Sequence, residues 1–191
     1  MSDRRAQRHA ATRQEILDAA WNLARSHGLT GWSLRELAAS VGMRAPSLYV
    51  YFDGKDAIYD AMFAQGYRQL LERIGRLPTA GEPVEVLRRA AREFFDFYVE
   101  DAARHQLLFL RVVPGFEPSP ESYALARDVV ARLREVLADA GLDRPEAVDL
   151  WTALFTGLAS QQASNDPGGD RWQRLLDRAV DMFVASEAPA T

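Results

Sequence analysis

A chain of 191 residues, 48% hydrophobic and 26% charged, can bury a real core and has the composition of a folded globular protein. It contains no cysteine, which excludes disulfides, thiolate chemistry and cysteine-based zinc sites. The net charge of −4 is unevenly spread: up to Lys55 eight basic residues face five acidic ones, a net +3 that leaves −7 for the remainder, and a basic head on an acidic body suits a nucleic-acid reader.

The start, MSDRRAQRHAATRQ, is polar and basic with no apolar segment behind it, so no secretory signal is expected. Thr12-Arg13-Gln14-Glu15 reads as a capping box opening a helix, with Ile16, Leu17, Ala20, Trp21 and Ala24 on one face and Gly28 closing it. The next stretch, SLRELAASVGMRAPSLYVYFDGK from Ser33 to Lys55, organises the chain. Ser33 and Glu36 form a second capping box, and Leu34, Leu37, Ala38 and Val41 recur at helical spacing. Gly42 suits a tight turn into a further short helix, in which Leu48 and Phe52 point to a core while Pro46, Ser47, Tyr49 and Tyr51 share a surface. A capped helix, a turn with glycine and a second helix with exposed aromatics make a helix-turn-helix motif over residues 33–52.

Asp56 to Leu77 reads as one long helix, broken by Leu77-Pro78-Thr79-Ala80-Gly81-Glu82-Pro83, the strongest domain boundary in the sequence. Beyond it the chain reads as helical throughout. Expected segments are Val84 to Glu100, a shorter apolar piece from His105 to Val113, and a helix capped by Ser119 with Pro120 in its first turn. Two more follow: one from Asp143-Arg144-Pro145-Glu146 to about Ser164, and a last one capped by Asp170. No segment reads as a strand. The longest apolar run, Leu150 to Ala159, is about half of what a membrane helix needs, so a soluble, cytoplasmic protein is expected. The fold class is therefore all-α.

The three histidines, His9, His27 and His105, lie far apart and lack metal-ligand spacing. There is no phosphate loop and no nucleophile elbow. No catalytic residue, metal or cofactor is expected, and the chain is not read as an enzyme.

Leu37-Ala38 through Val41-Gly42, then Ser47-Leu48-Tyr49, Tyr51-Phe52 and Lys55-Asp56, resemble the tetracycline-repressor (TetR) family of bacterial transcription regulators. The resemblance covers Thr12 to about Gln65. It implies a three-helix DNA-binding domain over residues 10–70, joined by the long helix to a helical ligand-binding and dimerisation domain over 78–187. It assigns Arg35, Arg44, Ala45, Pro46, Ser47, Tyr49, Tyr51 and Lys55 to DNA, with Arg35 as a base or phosphate reader and Tyr51 and Lys55 as phosphate clamps. Arg4, Arg5 and Arg8 are expected to add phosphate contacts. Ala45, Val50 and Asp53 depart from the family pattern and leave base preference open.

The same resemblance implies a palindromic double-stranded DNA operator, a homodimer formed through the last two helices and a partly hydrophobic small-molecule effector. Trp151, Leu154, Phe155 and Leu158, with Leu175, Ala179 and Phe183, are read as the dimer face. Phe63, Tyr67, Phe94, Tyr98, His105, Phe109, Tyr123 and Phe155 are read as pocket residues. The function expected is a ligand-responsive regulator, of repressor type in output because a bound dimer blocks a promoter. The alternative is a helical small-molecule-binding or adaptor protein without operator binding.

Overall fold

The computed structural model describes residues 2–187, and every regular element among them is helical. The helices are α1 (Ser2–His27), α2 (Leu34–Ser40), α3 (Ala45–Leu48), α4 (Lys55–Gly75), α5 (Pro83–Val99), α6 (Ala102–Phe109), α7 (Pro120–Asp139), α8 (Ala147–Asn165) and α9 (Leu176–Glu187). A 3₁₀ turn, Gln173–Leu175, leads into α9. None of these helices is long and apolar enough to cross a membrane.

Two compact units emerge. One gathers the chain up to Gly66 with Ala103–Tyr123; the other gathers Tyr67–Ala102 with the chain from Ala124. This differs from the division expected at the Pro78–Pro83 linker, because the α6 region clusters with the N-terminal helices. Gly66 shows why: a Cβ there would lie 2.8 Å from Cδ1 of Leu108, so a side chain at 66 would hold α6 away from α4.

In the first unit, Ile16, Ala20 and Ala24 of α1 recur four apart and are buried, as are Leu37, Leu48 and Ile58, and α1 packs on α2. Helix α1 starts ten residues before the capping box read at Thr12, which is mid-helix. The cause is local: Ala6, Ala10 and Ala11 favour helix, and no Gly or Pro interrupts the chain before Gly28. The Ser33 box does form, with the hydroxyl accepting from the Glu36 amide at 3.2 Å and the Glu36 carboxylate accepting from the Ser33 amide at 2.8 Å. Gly42 turns the chain at φ 68°, a conformation that opposes any Cβ.

In the second unit, Leu87, Ala91, Phe95 and Tyr98 line the inner face of α5, which packs on α8 and α9. The ring of Trp151 lies 4.2 Å from Phe155 and 5.2 Å from Phe183. Arg92–Asp177 and Arg88–Asp181, both at 2.5 Å, tie α5 to α9 along the rim. These partly exposed pairs set register more than stability. The expected cap of α9 at Asp170 is replaced by the 3₁₀ turn, and regular helix begins at Leu176.

Candidate nucleic-acid interface

Helix α3 has four residues, too few to be stable alone. It exists because Leu48 (1% exposed) and, just after it, Phe52 (4%) are buried, while Pro46 occupies the first turn without a missing donor. Fixing those two side chains inward turns the others out. Arg44, Pro46 and Ser47 are exposed, and Tyr49 and Val50 are 58% and 69% exposed. Ala45 is half-buried. Two large apolar-bodied side chains this open, beside an arginine, form a surface suited to something other than water.

Neighbouring elements add charge to that surface's surroundings. Arg35, on α2, is exposed, as are Arg4, Arg5 and Arg8 on the first turns of α1. Tyr51 is half-buried: its ring lies 4.8 Å from that of His9, and its carbonyl accepts from the Arg13 guanidinium.

Lys55 is arranged differently from the solvent-facing clamp expected of it. Its ammonium donates to the Trp32 carbonyl at 2.6 Å and reaches that of Thr30 at 3.4 Å. It also lies 4.2 Å from the Trp32 ring centroid. Burial lowers its pKa, with Asp56 and Glu36 opposing. The ammonium thus ties the α1–α2 loop to the start of α4.

Tyr59, one turn on, continues that tie. Its hydroxyl donates to the Leu29 carbonyl, and its ring meets both Trp32 and Phe116 at 5.6 Å. The adjacent Asp60 carboxylate accepts from the Ser119 amide at 2.7 Å and from the hydroxyls of Ser119 and Ser122 at 3.1 and 2.8 Å. Ser119 itself accepts from the Ser122 amide at 3.2 Å, the cap expected of it. Two consecutive residues of α4 therefore join the helix-turn-helix elements to the start of α7, all inside the first unit.

The residues read as pocket lining fall in both units. Phe63, His105, Phe109 and Tyr123 belong to the first; Tyr67, Phe94, Tyr98 and Phe155 belong to the second. Phe63 and His105 are buried and Phe109 half-buried, whereas Tyr123 is 52% exposed. Burial pushes the His105 imidazole down to about 4. In the second unit Tyr98 and Phe155 are fully buried, and the Phe94 and Tyr98 rings are 6.0 Å apart.

The expected dimer face needs correction. Trp151, Phe155, Ala179 and Phe183 are all buried within the second unit, because α5 covers α8 and α9 from one side. Leu154 and Leu158 are half-buried. The apolar residues left open are Leu150 (49%), Leu175 (38%) and Met182 (62%). Sequence reading also missed Arg13 and His9. Arg13 was absorbed into the Thr12 capping box, and a continuous α1 was the signal that would have freed it.

Residues 16–62 match the family model described as bacterial regulatory proteins, tetR family. The HTH-type nicotine-responsive transcriptional repressor HdnoR of Paenarthrobacter nicotinovorans is 29% identical over 181 residues, 90% of this chain and 93% of the relative. An uncharacterized HTH-type transcriptional regulator of Bacillus subtilis is 28% identical over 101 residues, so the match spans about half (53%) of each chain. The fold is similar to that of AibR, solved in complex with isovaleryl coenzyme A and operator DNA, with a TM-score of 0.66 and 23% identity over 94% of this chain and 99% of the other.

Proposed function

We propose that this chain, whose residues 16–62 match the model of the tetR family of bacterial regulatory proteins, is a member of that family and a repressor that binds a palindromic operator as a homodimer and is released by a small molecule. The observation that supports this best is the outward set on and after α3: Arg44, Pro46, Ser47 and Tyr49, held open by the burial of Leu48 and Phe52. In this reading Arg44 and Arg35 supply hydrogen bonds to phosphate or guanine, Ala45 and Pro46 meet a thymine methyl, and Tyr49 touches sugar-phosphate or a base edge. Tyr51 and Lys55 act mainly by holding the reading surface in place. Arg4, Arg5 and Arg8 add salt-dependent affinity.

One four-residue helix discriminates too few base pairs to stand out against a genome. A second copy supplies a second head one helical turn away, about 34–36 Å. Leu150 on α8, Met182 on α9 and Leu175 in the 3₁₀ turn before α9 are open apolar side chains available for that contact, at the two helices that the family resemblance assigns to it.

The effector is a small molecule with an apolar part: the repressor relative is nicotine-responsive, and AibR was solved in complex with isovaleryl coenzyme A. The Asp60–Ser119 and Tyr59–Phe116 contacts give ligand binding a physical route to the reading head. A shift of the α6–α7 segment strains these contacts, and a coupling of about 1–3 kcal/mol weakens DNA binding about 5- to 150-fold.

The test is selection of bound sequences from a random duplex pool, then gel-shift titration of the winner at fixed salt with Tyr49→Ala. The expected result is a palindromic consensus and weaker binding by the variant, with its dimer intact. An unenriched pool with an intact dimer points instead to a ligand-binding protein without an operator.

A further inference from the structure

We infer that Arg13 is a positioning residue of the reading surface, acting on DNA through the segment it holds and not by touching DNA itself. The inference rests on the DNA-binding reading above.

Helix α3 is a single turn, and the chain after it, Tyr49 to Phe52, is held by few bonds of its own. The amides of Tyr51 and Phe52 return to the Leu48 carbonyl at 2.8 and 2.9 Å. Nothing in those bonds fixes where the turn sits against the rest of the unit. Helix α1 does. The Arg13 guanidinium donates to the Tyr51 carbonyl, and its planar face lies 3.9 Å from the Phe52 ring centroid. One turn earlier on the same face of α1, His9 sets its ring 4.8 Å from that of Tyr51 and Nε2 3.5 Å from the Val50 carbonyl. Residues four apart on a helix share a face, so α1 grips three consecutive residues, Val50 to Phe52. The exposed side chain of Tyr49 comes just before that grip.

The chemistry calls for arginine. Its edge donates to a carbonyl while its face covers an aromatic ring, and lysine supplies only a point charge. One donor and one face of the guanidinium are thus committed inside the unit. Burial also lowers its pKa, opposed by Asp60.

A phosphate contact and a positioning residue part company in salt. Losing a phosphate contact flattens the dependence of log affinity on log salt by about 0.9 per contact. Losing a positioning residue lowers affinity at every salt concentration and leaves the slope alone. The experiment takes the full chain and the duplex selected by the wild type, and measures affinity across a salt series for wild type, Arg13→Gln, Arg13→Lys and Arg44→Gln. Melting temperature and mass in solution are measured alongside.

The expected result for Arg13→Gln is a loss of about 10- to 100-fold at wild-type slope, the size of losing one charged hydrogen bond. Arg13→Lys is expected to recover only part of it, and Arg44→Gln to flatten the slope. Wild-type affinity in Arg13→Gln overturns the inference, as does a slope flattened like that of Arg44→Gln. Should Arg13→Gln fail to fold, Arg13→Lys decides: reduced affinity at unchanged slope supports the assignment, and wild-type affinity overturns it. A wild type that enriches no sequence overturns the DNA-binding reading, and this assignment with it. Wild-type binding that Arg13→Gln leaves unchanged overturns the assignment alone.

Discussion

Replacing Tyr59 with phenylalanine removes one oxygen from the centre of the first unit and keeps the ring between Trp32 and Phe116. Tyr59 is 2% exposed and Leu29, whose carbonyl accepts its hydroxyl, is 3% exposed, so water does not readily replace the lost donor. A buried acceptor left unpaired costs about 1–2 kcal/mol. For a cooperative unit of this size that is a fall in melting temperature of about 2–8 °C, read by calorimetry at neutral pH. Alkaline titration gives a second reading. The Tyr59 phenol is pushed up to about 12, first by burial and then by Asp56. A tyrosine raised in the folded state contributes stability that is present below its unfolded pKa of about 10 and lost as pH rises through the folded value. The stability gap between wild type and Tyr59→Phe therefore narrows between pH 10 and 12, by on the order of 2 kcal/mol. A melting temperature unchanged at neutral pH, or a gap constant across that alkaline window, refutes the reasoning.

Two further outcomes are expected. His105, pushed down to about 4 by burial, must be neutral in the folded chain. Its contribution is complete above pH 6.5 and is lost as pH falls toward 4. His105→Gln should flatten the acid limb of a stability profile by on the order of 2 kcal/mol, and an unaltered limb counts against it. Met182→Asp sets a charge on the open face of α9; for the proposed homodimer, sedimentation should show half the wild-type mass, together with weaker binding to the selected duplex. A full-mass dimer would remove Met182 from the interface.

What could be read from the chain and what could not follow from the range of the interactions involved. The Ser33–Glu36 box, the Gly42 turn and the inward pair Leu48 and Phe52 are local, set by spacing over three or four residues, and all appear in the structure. The Thr12–Glu15 box has the same spacing and fails, because a capping motif starts a helix only where the preceding residues decline to extend it. Ala6, Ala10 and Ala11 do extend it. The Lys55 ammonium illustrates a different limit. A lysine opening a helix points to phosphate by its charge, yet its contact with the Trp32 carbonyl depends on a residue 23 positions away. The dimer stripe shows a third. Periodicity locates the apolar face of α8 and α9 but not its width, and how much α5 covers is a tertiary fact. Arg13 was invisible for the same reason, since its partners lie 38 positions on.

The single turn of α3 has an evolutionary consequence. A long recognition helix constrains its own surface, because each exposed residue also contributes to holding the helix together. Here almost none of that duty falls on the exposed residues: Leu48 and Phe52 are anchored in the core, and Val50 to Phe52 are gripped from α1. Positions 44, 47 and 49 are thus free to change with little effect on folding, whereas Pro46 holds the first turn and Ala45 is half-buried. On the proposed DNA-binding reading, a head built this way can acquire a new operator by substitution at its tip, one letter at a time, while the scaffold beneath stays as it is.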